Sequence, residues 1–333
     1  MGKLAARELQ EILNCITPDE RVLVPPQVGF DAGVHRLGDK LVVVATDPCT
    51  GVPEEWFGWL LINYAASDIA LFGAKPEFCT ITLLGPPRST SPRRFQKIMA
   101  QTCKAADELG IAIVRGHTAM YGSLKDVLGV CTVYGTVEPN RLITSGGAKP
   151  GDLILCTKPL GIETITNYVL THRETAQQLF GIQKQAEYGR LVPMQSCVRE
   201  ALALSEVEGV HAMHDVTEGG FVAALNELAE TSKTGFRVKC ENIAIPNEAL
   251  VLQRHLGLSD AQMLAFSSTG TILAAVSVSA KQKVTETLQK LKLTASFIGE
   301  FTDTKERIIV QNNIERPFPS QADDPYTAMM TRP

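Results

Sequence analysis

Hydrophobic positions along the first half of the chain alternate between two spacings. Continuous or alternating apolar runs at Lys40 to Thr46, Glu77 to Leu84, Ile111 to Arg115 and Val127 to Val137 predict strands. Glu54 to Phe72 and Pro92 to Leu109 carry the helical spacing instead, which predicts an α+β layout. The turn-rich segment from Ser145 through Gly146, Gly147 and Pro150 to Asp152 can extend neither flanking element, so it marks a linker between domains at 1–148 and 149–333. Beyond it, Leu153 to Thr157, Val210 to Met213, Thr271 to Val278, Ser296 to Phe301 and Arg307 to Val310 read as strands. Arg190 to Glu206 and a segment starting near Thr217 read as helices, giving a second mixed domain. The first residues form an amphipathic helix pattern with Ala5, Leu9, Ile12 and Leu13 on one side; the Pro- and Asp-rich tail from Glu315 reads as an ordered wrap or a loose end.

Composition narrows the class. A length of 333 residues suits two domains that each bury a core. The 32 basic and 36 acidic residues leave a formal charge of -4, with no long run of either sign, which argues against nucleic acid or an anionic membrane surface as partner. Eight scattered cysteines without a CxxC pair, and a start lacking an apolar signal core, predict a cytoplasmic chain with reduced thiols. The apolar stretch Trp56 to Ala74 is long enough to resemble a membrane span, but Asp68 within it is costly at membrane depth, so a buried soluble helix is expected.

Four carboxylates stand beside glycine or small residues: Asp31 between Gly29 and Gly33, Asp47 after Thr46, Asp68 after Ala66 and Ser67, and Asp215 ahead of Thr217, Glu218, Gly219 and Gly220. Gathered in one place, they suit Mg²⁺, a hard ion that keeps positions for phosphate and water. Each alone has a plainer reading: Asp47 as a turn former, Asp68 as a paired structural carboxylate, Thr217 and Glu218 as a helix cap. Asn63 and Ser67 lie one turn apart and either line the site with Asp68 or pack within the helix. In Gly116-His117-Thr118 the glycine permits close approach of a ligand, and His117 is either a phosphate contact or base, or a hydrogen-bonded turn residue. The glycines at 219 and 220 are poor helix formers, which points to ligand approach there too. Walker, GxGxxG, HExxH and GxSxG motifs do not occur.

In order, the segments 28–34, 44–51, 63–76, 116–118, 149–152, 213–220 and 267–270 resemble the superfamily of aminoimidazole ribonucleotide synthase, HypE, selenophosphate synthetase and thiamine-monophosphate kinase. The resemblance implies an N-terminal α+β domain whose sheet joins that of a second copy in a β-barrel homodimer, and a C-terminal α/β domain. It implies ATP in the cleft between domains and Mg²⁺ on Asp31, Asp47, Asp68 and Asp215. Thr46, Asn63, Gly116, Thr118, Glu218 and Gly219 are then expected near the nucleotide, with Asp68 and His117 catalytic. The implied chemistry is attack of a carbonyl, carboxamide or carboxylate oxygen, on a small molecule or a protein, at the γ-phosphate of ATP. The 44–51 and 213–220 segments are most similar to HypE and its relatives, and so to hydrogenase maturation. HypE uses its own C-terminal cysteine, whereas the last cysteine here is Cys240; the family's Gly-Asp-Thr or Gly-Glu-Thr stands here as Gly116-His117-Thr118. A small-molecule kinase and a non-catalytic nucleotide-binding assembly partner are the competing expectations.

Overall fold

The computed structural model describes residue 4 and residues 6–331; Ala5 of the expected N-terminal stripe lies outside them. Helix α1 (Ala6–Leu13) buries none of its residues fully: Leu9 and Leu13 of its apolar stripe are half-buried and Ile12 is exposed.

The N-terminal sheet comprises β1 (Val22–Val24), β2 (Gly33–Leu37), β3 (Lys40–Cys49), β4 (Phe78–Gly85), β5 (Ala112–Met120) and β6 (Leu128–Val137), in the order β1-β2-β3-β6-β4-β5. All neighbours are antiparallel except β4 and β5, which run parallel with α3 (Pro92–Leu109) as the crossover. Helix α3 is set by Ser91, whose side chain accepts from the Arg94 backbone N–H, with Pro92 at its first position and Gly110 ending it at φ 70°.

Helix α2 (Phe57–Leu71) explains the membrane-like run. It packs against β3 and β6 on one side, α3 on another, and α7 (Val198–Ser205) and β8 (Val210–Asp215) of the second domain. A helix enclosed on all sides is apolar all round. No described helix is long and apolar enough to cross a membrane. Its contact with α3 is so close that a Cβ on Gly58 would lie 2.3 Å from the Ile98 carbonyl oxygen. Gly58→Ala should therefore cost about 1–3 kcal/mol of stability, measurable as a lower urea midpoint with unchanged slope.

The second sheet follows the order β13-β12-β9-β11-β7-β10-β8, built from β7 (Leu153–Cys156), β8, β9 (Gly235–Lys239), β10 (Ile272–Val276), β11 (Ser296–Thr302), β12 (Arg307–Gln311) and β13 (Ile314–Pro317). Only β9 and β12 pair in parallel. Helices α4 (Ile162–Thr171), α5 (Arg173–Phe180) and α6 (Ile182–Gly189) have no counterpart in the sequence reading. The helix expected over Arg190 to Glu206 is broken: a 3-10 turn spans Val192–Gln195 around Pro193, and α7 starts only at Val198. Helix α8 (Gly220–Ser232) begins three residues later than its predicted start. Helices α9 (Asn247–Leu256), α10 (Asp260–Leu264) and α11 (Lys281–Lys290) complete the domain, and the tail is an ordered wrap ending in α12 (Tyr326–Thr331). One apolar cluster runs through both domains, joining Leu60, Ile69 and Val133 to Leu155, Leu204 and Ile272.

Candidate active site

Between the two sheets lies a cavity of about 360 Å³, in the size range of small-molecule sites, reached by side chains from both domains. Asp31 comes from the loop between β1 and β2, Asp47 from the end of β3, and Asp68 from α2 one turn after Tyr64. Asp215 is the last residue of β8, and Thr217 and Glu218 follow in the turn before α8. Strand ends are where backbone geometry frees a side chain from the sheet, so carboxylates from separate elements can converge there.

The aspartates do not titrate independently. Burial raises Asp68 well above its ordinary value, and the charges of Asp47, Asp215 and Asp31 raise it further. Burial also raises Asp47, which accepts a hydrogen bond from protonated Asp68, so in the metal-free protein the two share one proton. His214 balances the other side. Burial opposes its charge, yet Asp31, Glu227 and Asp215 hold it protonated, up to about 9. Its Nδ1 lies 2.8 Å from the Asp215 carbonyl oxygen and 3.4 Å from Asp31 Oδ1, and its Nε2 lies 3.1 Å from Glu227 Oε2. Asp31, His214 and Asp215 offer ligand atoms all within 4.8 Å of one another. With both ring nitrogens engaged by the protein, His214 orders the carboxylates and leaves coordination to them.

A hard divalent cation fits this donor set: the candidate ligands are carboxylate oxygens from four chain segments, two of them raised above their ordinary value by burial and, at Asp68, by the neighbouring carboxylates as well. The linkage has a definite sign. Carboxyl groups raised in the fold contribute stability below their ordinary value of 3.8 and lose it as pH rises through the raised folded values. A bound cation requires the ionised forms. The gain in melting temperature on adding Mg²⁺ should therefore be small near pH 5 and larger near pH 8, read by scanning calorimetry; an equal gain at both would contradict shared-proton aspartates.

The cavity brings together Asp31, Asp47, Asp68, Asp215 and Glu218, but several other expected residues lie elsewhere. Thr46 is adjacent to Asp47 in a strand, so it points to the opposite face, where its hydroxyl lies 2.9 Å from that of Thr132. Asn63 lines a different cavity with Trp56 and Trp59 and donates to the Trp59 carbonyl. Ser67 accepts from the Cys197 backbone N–H. Gly116, His117 and Thr118 sit exposed on β5. The register Asp47–Cys131–Ile81–Gly116 places them three strands away, about 14 Å at the usual strand spacing.

The glycines have internal reasons. A Cβ on Gly116 would lie 2.7 Å from the Ile81 carbonyl oxygen, so the neighbouring strand, not a ligand, demands glycine. Gly219 and Gly220 take φ 81° and 57°, and a Cβ on Gly220 would lie 2.5 Å from the Ala265 carbonyl carbon. That left-handed pair delays α8 and makes Gly219, not Thr217, its N-cap.

The sequence reading missed a second group. Glu163 at the start of α4, Ser267 and Thr269 ahead of β10, and Asp324 and Tyr326 of the tail all line the cavity. The Tyr64 hydroxyl lies 3.2 Å from both Glu163 Oε1 and Gln195 Oε1; Gln195 donates to Thr166 and Asn167, and Asn167 to the Tyr326 hydroxyl. Asp324 accepts from the Gly219 N–H at 3.0 Å and the Ser267 hydroxyl at 3.1 Å.

Residues 29–137 match the family model of the AIR synthase related protein N-terminal domain, and residues 149–311 that of the C-terminal domain. Over 93% of its length the chain is 27% identical to a selenide, water dikinase of Carboxydothermus hydrogenoformans, of which it covers 95%. Its fold is similar to that of HypE in a HypE–HypF complex, at TM-score 0.76 and 20% identity over 93% of this chain and 98% of that one. It is likewise similar to the hydrogenase maturation protein HypE in complex with ATP, at TM-score 0.72 and 19% identity over 95% of this chain and 91% of that one.

Proposed function

The chain belongs to the AIR synthase related family, and from that premise we propose that it binds Mg-ATP at Asp31, Asp47, Asp68 and Asp215 and transfers the γ-phosphoryl group to a carbonyl, carboxamide or carboxylate oxygen. The observation that carries this reading is the convergence of four carboxylates, two sharing one proton, in a cavity between the domains. Mg²⁺ held there would supply the positive charge that triphosphate oxygens need during transfer. The protein's own residues position it: His214 fixes Asp31 and Asp215, and α2 carries Asp68 on a fully packed helix. The HypE fold supports a role in hydrogenase maturation, on an acceptor that is free or carried by a partner protein.

The reading includes a homodimer through the N-terminal sheets. Strand β5 ends that sheet, and Phe78, Val114, Met120 and Tyr121 lie exposed on or beside it, an edge that a second copy would cover. Light scattering should give about twice 36.1 kDa, and Val114→Lys should return the mass to that of one chain. Catalysis is tested by ³¹P NMR of ATP incubated with the protein: ADP formed with Mg²⁺ and suppressed by chelation supports the reading. ATP left intact at every metal concentration would leave only the fold in common with the family.

A further inference from the structure

A second cavity, of about 700 Å³, shares no lining residue with the aspartate cavity. Its walls come from α2 and α3 of the first domain, and from the Lys158 and Met194 segments, α7 and the end of α11 of the second. That volume, and a place between domains, are usual for small-molecule sites.

Both tryptophans of the chain line it. Trp56 and Trp59 are half-buried, with ring centroids 5.8 Å apart and planes at 86°. The Trp59 indole N–H donates to Glu108 Oε2 at 3.3 Å, which fixes its ring. Two perpendicular rings side by side offer an edge and a face to a flat aromatic ring, and Leu109, Met194 and Leu293 keep its surroundings apolar.

Most of the polar lining is engaged by the protein itself. Glu55 pairs with Arg173, Glu108 with Lys104, and Glu200 with Lys158, whose ammonium also donates to the Met194 and Ser196 carbonyls. Gln101 accepts from the Gly58 N–H and donates to the Glu54 carbonyl. Arg199 and Asn63 are not so committed. Arg199, on α7, is exposed and has no partner among the described residues. Asn63 is 2% exposed; its side-chain nitrogen donates to the Trp59 carbonyl at 3.0 Å, but its side-chain oxygen accepts from no described residue. A guanidinium is a ready fork for a carboxylate. A buried acceptor without a donor calls for an N–H.

We infer that this cavity binds a small, flat aromatic acid carrying an N–H. Its ring packs on Trp56 and Trp59, its N–H donates to the Asn63 side-chain oxygen, and its carboxylate accepts from Arg199. Nothing in this site depends on the Mg-ATP reading, since the two cavities have no residue in common.

The probe is an aminonaphthoate with its amino and carboxylate groups at opposite ends of the fused ring, titrated into the full chain. Tryptophan emission reports on this cavity alone, because the chain has no other tryptophan. Saturable, one-to-one quenching is expected. The corresponding uncharged amide should bind about tenfold more weakly, and the naphthoate without its amino group about threefold more weakly. Arg199→Glu, at an exposed position, should abolish the preference for the acid over the amide while keeping the preference for the amino group; Asn63→Ala should do the reverse. Absence of saturable quenching would overturn the proposal. So would equal affinity of the wild type for the aminonaphthoate and either analogue, or an undiminished preference for the acid in Arg199→Glu. Should Asn63→Ala fail to fold, the wild type and Arg199→Glu decide the matter.

Discussion

Asp68→Asn will abolish Mg²⁺-dependent ATP binding while raising the melting temperature of the metal-free protein. These opposite signs follow from one cause. Asp68 is 9% exposed in the middle of a packed helix, and burial together with Asp47, Asp215 and Asp31 disfavours its charge. Asparagine keeps the shape and the hydrogen bond to Asp47 but removes the charge cost, which should add about 1 kcal/mol, or about 2–4 °C. A cation loses one anionic ligand and the charge that drew it there. Affinity should fall at least about a hundredfold, or about 2.8 kcal/mol. Asp47→Asn should behave alike. A variant that loses nucleotide binding and stability together would show that Asp68 is a structural carboxylate.

Glu200→Ala is expected to destabilise the protein by about 3–5 kcal/mol, the cost of leaving a buried charge without its partner. Lys158 and Glu200 form an ion pair with side chains 4% and 6% exposed, and the Lys158 ammonium also donates to the Met194 and Ser196 carbonyls at 2.9 and 2.7 Å. Those carbonyls flank Gln195, the residue that bonds Tyr64 beside Glu163. The pair therefore holds the backbone from which the inner wall of the cavity is organised. Lys158→Met with Glu200→Leu, which removes both charges, should recover most of the loss in urea denaturation, because no buried charge is then left alone. Equal losses in the single and double variants would place the effect in packing instead.

The aspartates were legible because carboxylates beside glycine at strand ends, or inside an apolar helix, are costly without a purpose. Asp31, Asp47, Asp68 and Asp215 all line one cavity. The α+β class of the N-terminal domain was legible for a similar reason, since the period of two in β4 and β6 and the period near four in α3 are written in the sequence, whereas the C-terminal domain expected as α/β has a sheet in which one pair of strands, β9 and β12, runs parallel. Thr46 could have been set aside on the same grounds, because a period of two puts it on the face opposite Asp47. Asn63 and Gly116 fell outside the cavity for tertiary reasons: a fully buried helix has no polar face to read, and a strand's neighbours depend on sheet order.

Glu163 carried a signal that was passed over. It stands between Ile162 and Ile165 in an apolar run, where an ionised side chain needs the same justification as Asp68. Asp324 and Tyr326 carried none, for their place depends on a tail that folds back onto α8, Gly219 and α4.

The most direct measurement is calorimetric titration of the protein with ATP at pH 8, with and without Mg²⁺. Saturable binding that requires the cation, and that Asp68→Asn removes, is the predicted result. Equal binding without the cation, or no binding with it, would contradict the assignment of the aspartate cavity to Mg-ATP.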